Sequence, residues 1–157
     1  MKRLKIEALA KSVPEMRVSN DDLAEFIETS DEWISQRTGI KTRRVSIFDN
    51  TSDLCAKAAK ELLSKTSTEA SEIDLIIVAT MTPDSATPST AAIVQGKIGA
   101  KNAVAFDISA ACSGFVYALV TAASMLDSKH AKKALELAER CFQNRLTGAI
   151  ARMRPVR

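Results

Sequence analysis

The sequence predicts an α/β fold with a mixed, largely parallel sheet. Two observations carry this prediction: short apolar runs that read as buried strands, and longer segments of helical periodicity that alternate with them. The clearest strand is the apolar run 73–80, which turn residues bound on both sides. A helical segment over 88–98 follows it, and a second apolar run covers 103–107. Strands separated by helices in this way are typical of a parallel sheet.

Capping residues and periodicity assign the other elements. Asn20 is expected to cap one short helix, Ser30 to cap a second, and Gly39 to end the second one. The expected elements are, in chain order, a strand over 3–10, helices over 21–27 and 31–37, an extended segment over 41–47, a helix from Thr51 or Ser52 to Lys65, a helix over 113–127 and a strand over 133–137. The helix over 113–127 is apolar on nearly every face, and such a helix is normally covered on all sides.

Composition excludes several classes of protein. Hydrophobic residues make up 46% of the chain, which is enough for a buried core, and no apolar run is long enough to span a bilayer. The amino terminus lacks the apolar core of a secretory signal, so we expect a cytoplasmic protein without a membrane partner. Three widely spaced cysteines, Cys55, Cys112 and Cys141, form neither a zinc pattern nor an even disulfide set. No metal site is therefore expected, and Cys55 is expected in the core.

The net charge of +3 comes from the end of the chain. Five arginines and no acidic residue follow Glu139. The rest of the chain contains 17 basic and 19 acidic residues. A nucleic-acid-binding domain usually carries its basic residues on one folded face. We therefore expect no nucleic-acid partner.

The pentad Ala-Ala-Cys-Ser-Gly at 110–114 lies at the turn between the strand over 103–107 and the helix over 113–127. A cysteine at the start of a helix lies in the positive field of the helix dipole, which favours the thiolate. Its small neighbours leave room for an acyl group. Cys112 is therefore a candidate nucleophile that accepts an acyl group, and the alternative is a small buried residue at a tight turn.

Seven stretches of the chain, taken together, resemble β-ketoacyl-acyl-carrier-protein synthase III, the condensing enzyme that starts bacterial fatty-acid synthesis. They occur in the family's order and spacing as far as about Leu135. The stretches are Val-Pro-Glu at 13–15, Ser-Asn-Asp-Asp-Leu at 19–23, Thr-Ser-Asp-Glu-Trp-Ile at 29–34, Arg-Thr-Gly-Ile at 37–40, Ile-Ile-Val-Ala-Thr at 76–80, Pro-Ser-Thr-Ala-Ala at 88–92, and Ala-Phe-Asp at 105–107 running into Ala-Cys-Ser-Gly-Phe at 111–115. The resemblance implies that residues 1–138 form the N-terminal half of a thiolase-like α-β-α-β-α sandwich.

The resemblance also implies a role for five residues. Cys112 would be the acyl-accepting nucleophile, with acetyl-CoA as primer and malonyl-acyl-carrier protein as second substrate; coenzyme A is then a substrate, and no cofactor is implied. Thr29, Trp33 and Arg37 match positions at the mouth of the coenzyme A channel, where an indole stacks on adenine and a guanidinium meets phosphate. The alternative is a half-buried tryptophan beside a solvated arginine. Thr87 matches a position where the family places a residue from the partner subunit at the base of the acyl pocket, and a small residue there would admit a larger primer.

Decarboxylation of the malonyl group needs neutral hydrogen-bond donors, which the family takes from a histidine and an asparagine of its C-terminal half. His130 is the one histidine of this chain. Along a straight helix it would lie about 25 Å from Cys112. We therefore expect His130 to be a solvated residue that takes no part in the reaction.

The resemblance ends near Glu139, and residues 139–157 are expected to form a basic tail outside the domain. Possible codons for 146–152, read one base earlier, encode Ser-Asp-Trp-Ser-Asp-Arg-Ala, which contains the Asp-Trp-x-Asp-Arg motif of the family. This fit predicts a shifted reading frame between about Leu135 and Arg145, which resequencing of the gene would reveal. The alternative is a genuine basic tail that binds an anionic partner.

Two hypotheses about function follow. In the first, the chain is a truncated and inactive part of a synthase III, an acyltransferase of lipid metabolism that is a homodimer in its intact form. In the second, it is a non-catalytic module that binds coenzyme A or dimerises with an intact synthase.

Overall fold

A computed structural model describes residues 4–128, 130–138 and 149–155 of the chain. These residues form five helices and seven strands, with short 3₁₀ turns between some of them. The elements are β1 (Leu4–Ala10), β2 (Met16–Ser19), α1 (Asn20–Ala24), α2 (Asp31–Thr38), β3 (Thr42–Val45), α3 (Thr51–Lys65), β4 (Leu75–Ala79), α4 (Thr90–Ile98), β5 (Val104–Ile108), α5 (Gly114–Asp127), β6 (Ala134–Ala138) and β7 (Ala149–Pro155).

A five-stranded mixed sheet organises the fold, with the strand order β1-β7-β6-β4-β5. Strands β5 and β6 both pair with β4 in parallel, whereas β7 runs antiparallel to its neighbours β1 and β6. All five residues of β4 are buried, because the strand has a partner on each side and helices over both faces. The predicted α/β class with a largely parallel sheet is confirmed.

Helices cover both faces of this sheet and make a three-layer α-β-α arrangement. On one face, α3 and α4 pack through residues such as Leu62 and Val94 against Ile76 of β4. On the other face, α5 packs through Ala118 and other residues against β4. The residues of β4 on this face are its alternate ones, Leu75, Ile77 and Ala79. Cys55 lies in the first of these two cores, as expected.

Among the described residues, only one side of α5 is covered. Its residues Ala118, Ala122 and Leu126 are buried against the sheet. Val116, Tyr117 and Val120 on the opposite side are between 53% and 57% exposed. The nearly all-round apolar character of this helix therefore exceeds what one α/β layer can bury.

Local signals placed the ends of α2 and α3 correctly, whereas α1 ends at Ala24 rather than at 27 and α4 begins at Thr90 rather than at 88. Ser30 caps α2 by accepting from the Trp33 amide at 3.1 Å, and Gly39 ends the helix in the left-handed conformation at φ 69°. At α1 the expected cap, Asn20, is wrong: Ser19 is the N-cap and accepts from the Asp22 amide at 3.0 Å. Asn20 is the first residue of this helix and is buried.

Strands β2 and β3, which lie before α1 and after α2 in the sequence, form a separate two-stranded sheet. The extended segment expected over 41–47 contains β3, which pairs antiparallel with β2. Strand β2 was not expected from the sequence. Strand β2 contacts α1, which in turn contacts α2.

The division into a half-domain over 1–138 and a basic tail over 139–157 stays a prediction. Residues 139–148 and 156–157, with Cys141 among them, lie outside the described residues, and so does most of the segment in which the shifted frame is expected. Residues 149–155, to which the sequence assigned no element, form β7 and pair with β1 and β6. In the part of the chain that the structure describes, no helix combines the length and the apolar composition needed to cross a membrane.

Candidate active site

Cys112 lies in a single 3₁₀ turn, Ala111–Ser113, between the end of β5 and the start of α5. Its thiol is free and the residue is exposed. The alternative interpretation, a small residue buried at a tight turn, is therefore wrong. Ala111 adopts φ 45°, a left-handed conformation that costs an alanine about 1–2 kcal/mol. The turn thus presents Cys112 to solvent at the cost of local backbone strain.

The amino terminus of α5 follows this turn directly. Ser113 is its N-cap, yet the Ser113 side chain accepts no hydrogen bond from the first turn, unlike Ser19 and Ser30 at α1 and α2. Backbone N–H groups at the start of a helix favour negative charge when no side chain occupies them. The geometry suits an anionic intermediate formed beside Cys112.

Gly114 allows the close packing of this helix start on β4. A Cβ at Gly114 would lie 3.2 Å from the Cβ of Ala79, closer than ordinary side-chain contacts. The residue is buried. Close contact between α5 and the carboxyl end of β4 therefore favours glycine here, because the methyl group of an alanine would displace Ala79 by a few tenths of an ångström.

Replacing Gly114 by alanine is expected to lower the free energy of unfolding by about 1 kcal/mol, because Ala79 must move to admit the new methyl group. The matched control is Gly96→Ala in the interior of α4, where a Cβ would meet nothing within 4 Å. That control is expected to raise the free energy of unfolding by roughly 0.5–1 kcal/mol, through helix propensity. Urea denaturation of both variants measures the two effects. A change in the free energy of unfolding that has the same sign in both variants would contradict close packing at Gly114.

Asp107 connects β5 to the start of α4. Its two carboxylate oxygens accept from the backbone amides of Thr90 and Ala91, each at 2.7 Å. The carboxylate thus binds the positive end of α4, while the strand that carries it leads into the cysteine turn. Sequence reasoning gave Asp107 no role, although it is the one charged residue in the strand Val104–Ile108.

The loop between β4 and α4 lies at the same edge of the sheet as the cysteine turn, because β4 and β5 are parallel neighbours. The Thr80 amide donates to the Ile108 carbonyl at 3.1 Å, and Ser109 Oγ lies 3.3 Å from Met81 Sδ. Thr87 is exposed in this loop. The loop that contains Thr87 and the turn that contains Cys112 therefore lie at one edge of the sheet, and the role of Thr87 stays a prediction.

Trp33 and Arg37 form a stacked pair on the exposed side of α2. They lie one turn apart, and Arg37 Cζ is 4.4 Å from the centre of the Trp33 ring. Trp33 is 53% exposed, so the indole is not a core residue. Thr29 is half-buried next to the cap residue Ser30. The pair offers a flat aromatic face and a positive charge to a ligand that approaches from solvent.

A surface cleft of about 520 Å³ lies away from these groups. Residues 12–16 and 45–49 line it together with Leu54 and Lys57. It contains none of the residues that the sequence assigned to a site.

Three comparisons with known proteins agree with one another. A family model described as 3-oxoacyl-[acyl-carrier-protein] synthase III matches residues 106–141, which include the cysteine turn. The β-ketoacyl-[acyl-carrier-protein] synthase III of Streptococcus mutans is 57% identical over 131 residues, and that of Clostridium perfringens strain SM101 is 56% identical over 135 residues. The chain belongs to the synthase III family.

The chain spans less than half of the curated synthases III that it matches. The matches cover 83% and 86% of this chain but only 40% and 42% of the Streptococcus and Clostridium proteins. The crystal structure of the synthase III from Aquifex aeolicus VF5 superposes with a TM-score of 0.91 and 36% identity, covering 98% of this chain and 54% of that one. The likeness confirms that the chain has the thiolase-like fold of these synthases.

His130 lies far from the cysteine turn. It follows the carboxyl end of α5, is exposed, and has its Nδ1 at 2.6 Å from Ser128 Oγ. Cys112 precedes the amino end of the same 14-residue helix, whose length corresponds to about 21 Å. His130 is therefore too distant to act on a group bound at Cys112.

Proposed function

We propose that this chain carries the acyl-accepting site of a β-ketoacyl-acyl-carrier-protein synthase III. The Cys112 thiolate attacks the carbonyl carbon of an acyl-CoA primer such as acetyl-CoA, the carbon–sulfur bond to coenzyme A breaks, and coenzyme A leaves as its thiol after taking a proton. Malonyl-acyl-carrier protein then loses carbon dioxide, and its carbanion attacks the acyl-cysteine. The product is a β-ketoacyl-acyl-carrier protein, and the Cys112 thiolate is restored.

The observation that carries this proposal is the exposed Cys112 at the uncapped start of α5. In the tetrahedral intermediate the substrate oxygen becomes an anion, and the Cys112 backbone N–H is a donor of the kind that stabilises it. A donor of this kind contributes roughly 3 kcal/mol to lowering the barrier. A larger side chain at position 87 would narrow the acyl pocket of the partner subunit, and the small Thr87 suits primers larger than acetyl.

Coenzyme A binding is assigned to Thr29, Trp33 and Arg37. Trp33 stacks on adenine and Arg37 contacts phosphate, and their stacked arrangement supports this assignment because it leaves one ring face and the guanidinium edge exposed. The same observation favours the second candidate function, a module that binds coenzyme A without catalysis. The two candidates differ in whether Cys112 becomes acylated.

Condensation in the family uses a histidine as a hydrogen-bond donor, and this chain has only His130. His130 is at the far end of α5. We therefore propose that the 157-residue chain is inactive in the condensing step on its own. The proposed partners of the active form are acyl-CoA, malonyl-acyl-carrier protein and a second copy of the synthase, in the cytoplasm.

Trp33→Ala is expected to weaken coenzyme A binding by about tenfold or more, because stacking on a base contributes roughly 1–3 kcal/mol. Isothermal titration of the purified chain with coenzyme A measures the dissociation constant. The control is Phe48→Ala, which removes another exposed aromatic ring that α2 does not carry. An equal loss of affinity in both variants, or no binding by the wild-type chain, would remove the coenzyme A site from the proposal.

A further inference from the structure

Hydrophobic contacts alone do not hold α2 in place. Of its eight residues only Ile34 is buried, whereas Trp33 and Arg37 are exposed. A helix this short is marginal by itself and depends on tertiary contacts, and one buried apolar side chain supplies few of them. The orientation of α2, and with it that of Trp33 and Arg37, must be set by other contacts.

Asn20 supplies such contacts at both ends of α2. Its side chain is 1% exposed. Its Nδ2 donates to Asp31 Oδ1 at 2.7 Å, at the first residue of the helix, and to the Ile40 carbonyl at 2.7 Å, just after the helix ends at Gly39. One buried carboxamide therefore connects the beginning and the end of α2.

The acceptor side of Asn20 connects the same helix to the β2–β3 pair. Asn20 Oδ1 accepts from Arg43 Nη2, and the buried Arg43 also donates through Nη1 to the Ser19 carbonyl at 2.7 Å. A carboxamide has two N–H donors and one carbonyl acceptor, so it can satisfy a carboxylate, a carbonyl and a guanidinium at once. Neither an aspartate nor an alanine could make all three bonds.

Asp31 extends this network into α2. Its Oδ1 also accepts from Ser35 Oγ at 3.0 Å, and its Oδ2 pairs with Lys41 Nζ at 3.3 Å. The hydrogen bond from Asn20, followed by that from Ser35, holds the pKa of the Asp31 carboxyl below its ordinary value. The group that Asn20 faces is therefore a carboxylate, which makes this hydrogen bond charge-assisted.

We propose that Asn20 is a positioning residue for coenzyme A. By fixing both ends of α2 against β3, it sets where Trp33 and Arg37 meet the adenine and phosphate groups, although it is buried and touches no ligand itself. The inference rests on the proposed coenzyme A site. Asn20 affects coenzyme A binding through the orientation of α2 rather than through contact with the ligand.

Asn20→Asp in the 157-residue chain tests this role. The variant is isosteric and keeps an acceptor for Arg43, but it loses both donors and places a second carboxylate against Asp31. The dissociation constant of coenzyme A, followed by the fluorescence of Trp33, the one tryptophan in the sequence, is expected to rise about tenfold. Circular dichroism at the same temperature establishes that the variant is folded, and Asn20→Ser, which lacks the new charge, is expected to show a smaller rise in the same direction.

Ser52→Ala is the matched control. Ser52 is also a buried polar residue, but its hydroxyl on α3 is hydrogen-bonded to Asp84 and to Lys97 of α4, away from α2. It is expected to lower stability while leaving the dissociation constant unchanged within about twofold. An equal rise in the dissociation constant for Ser52→Ala and Asn20→Asp would show that Asn20 acts only through general stability, and would overturn the proposal.

A second measurement separates this inference from the proposed function. Ile34 is the one buried residue of α2, so its methyl resonances report how the helix is placed against the rest of the chain. These resonances are expected to move in Asn20→Asp but not in Ser52→Ala. If the wild-type chain fails to bind coenzyme A, the proposed site is wrong, and the Ile34 resonances alone decide whether Asn20 positions α2. Unchanged Ile34 resonances in Asn20→Asp overturn the inference in either case.

Discussion

Replacing Cys112 by alanine is expected to abolish acyl transfer from acetyl-CoA to the chain. The thiolate is the group that forms the bond to the acyl carbon, and no second exposed cysteine occurs among the described residues. Incubation with acetyl-CoA followed by intact mass spectrometry measures the added acetyl group, and a thiol assay measures the coenzyme A released. We expect one acetyl group on the wild-type chain and none on Cys112→Ala.

Two further variants control this experiment. Cys55→Ala removes a buried cysteine of the core and is expected to leave acylation unchanged. Cys112→Ser keeps the shape of the side chain but replaces the thiol by a far weaker nucleophile, so acylation is expected to fall almost as far as in Cys112→Ala. Acetyl groups that persist on Cys112→Ala would contradict the role of Cys112, and an unlabelled wild-type chain would favour the non-catalytic module.

The same experiment tests the condensing step. Malonyl-acyl-carrier protein added to the acylated chain is expected to yield no β-ketoacyl product, because the described residues bring no histidine near Cys112. Formation of that product by the wild-type chain, and not by Cys112→Ala, would show that the chain condenses on its own.

The parts of the fold that the sequence predicted well depend on local chemistry. Ser30 and Gly39 define the ends of α2 through hydrogen bonds and backbone conformation within the helix itself. The run 73–80 was identified as a strand because its burial on both faces leaves an apolar sequence. The turn with Cys112 was identified in the same way, from an apolar strand before it and an apolar helix after it.

The parts that were missed depend on partners distant in the sequence. Strand β7 lies in the arginine-rich segment to which the sequence assigned no element, and it pairs with the edges that the sheet offers at both β1 and β6. Asn20 has the residue type of a cap, and nothing local distinguishes a cap from a side chain that reaches Ile40 and Arg43. The role of Asp107 likewise becomes visible only when α4 is placed beside β5.

The buried carboxyl of Glu136 on β6 also could not be recognised from the sequence, and it leads to a prediction about how stability depends on pH. Glu136 is completely buried on the face of the sheet that α5 covers, opposite Ile77 of β4. Within the described part of the chain neither of its carboxyl oxygens has a hydrogen-bond partner. Burial without a partner disfavours the charged form and raises the pKa of Glu136 from 4.5 to about 7.

The raised pKa fixes the direction of the pH dependence. Below about pH 4.5 the carboxyl is protonated in the folded and the unfolded chain, and it costs no ionisation energy. Between pH 4.5 and 7 the unfolded chain releases a proton that the folded chain retains, so stability falls as pH rises. Above about pH 7 both states are ionised, and the cost reaches its full value of about 3 kcal/mol.

Glu136→Val is therefore expected to raise the free energy of unfolding by about 3 kcal/mol at pH 8 and by much less at pH 5. Valine has nearly the volume of glutamate and suits a strand interior, so the site needs little repacking. Urea denaturation at both pH values measures the change. Glu136→Gln is the control: it removes the ionisation and its pH dependence but buries an amide in the same apolar surroundings, so it stabilises less than valine. Two results would show that Glu136 has a partner in solution. One is a Glu136→Val variant that is less stable than the wild type at pH 8. The other is a Glu136→Val variant whose free energy of unfolding falls between pH 5 and 8 as steeply as that of the wild type.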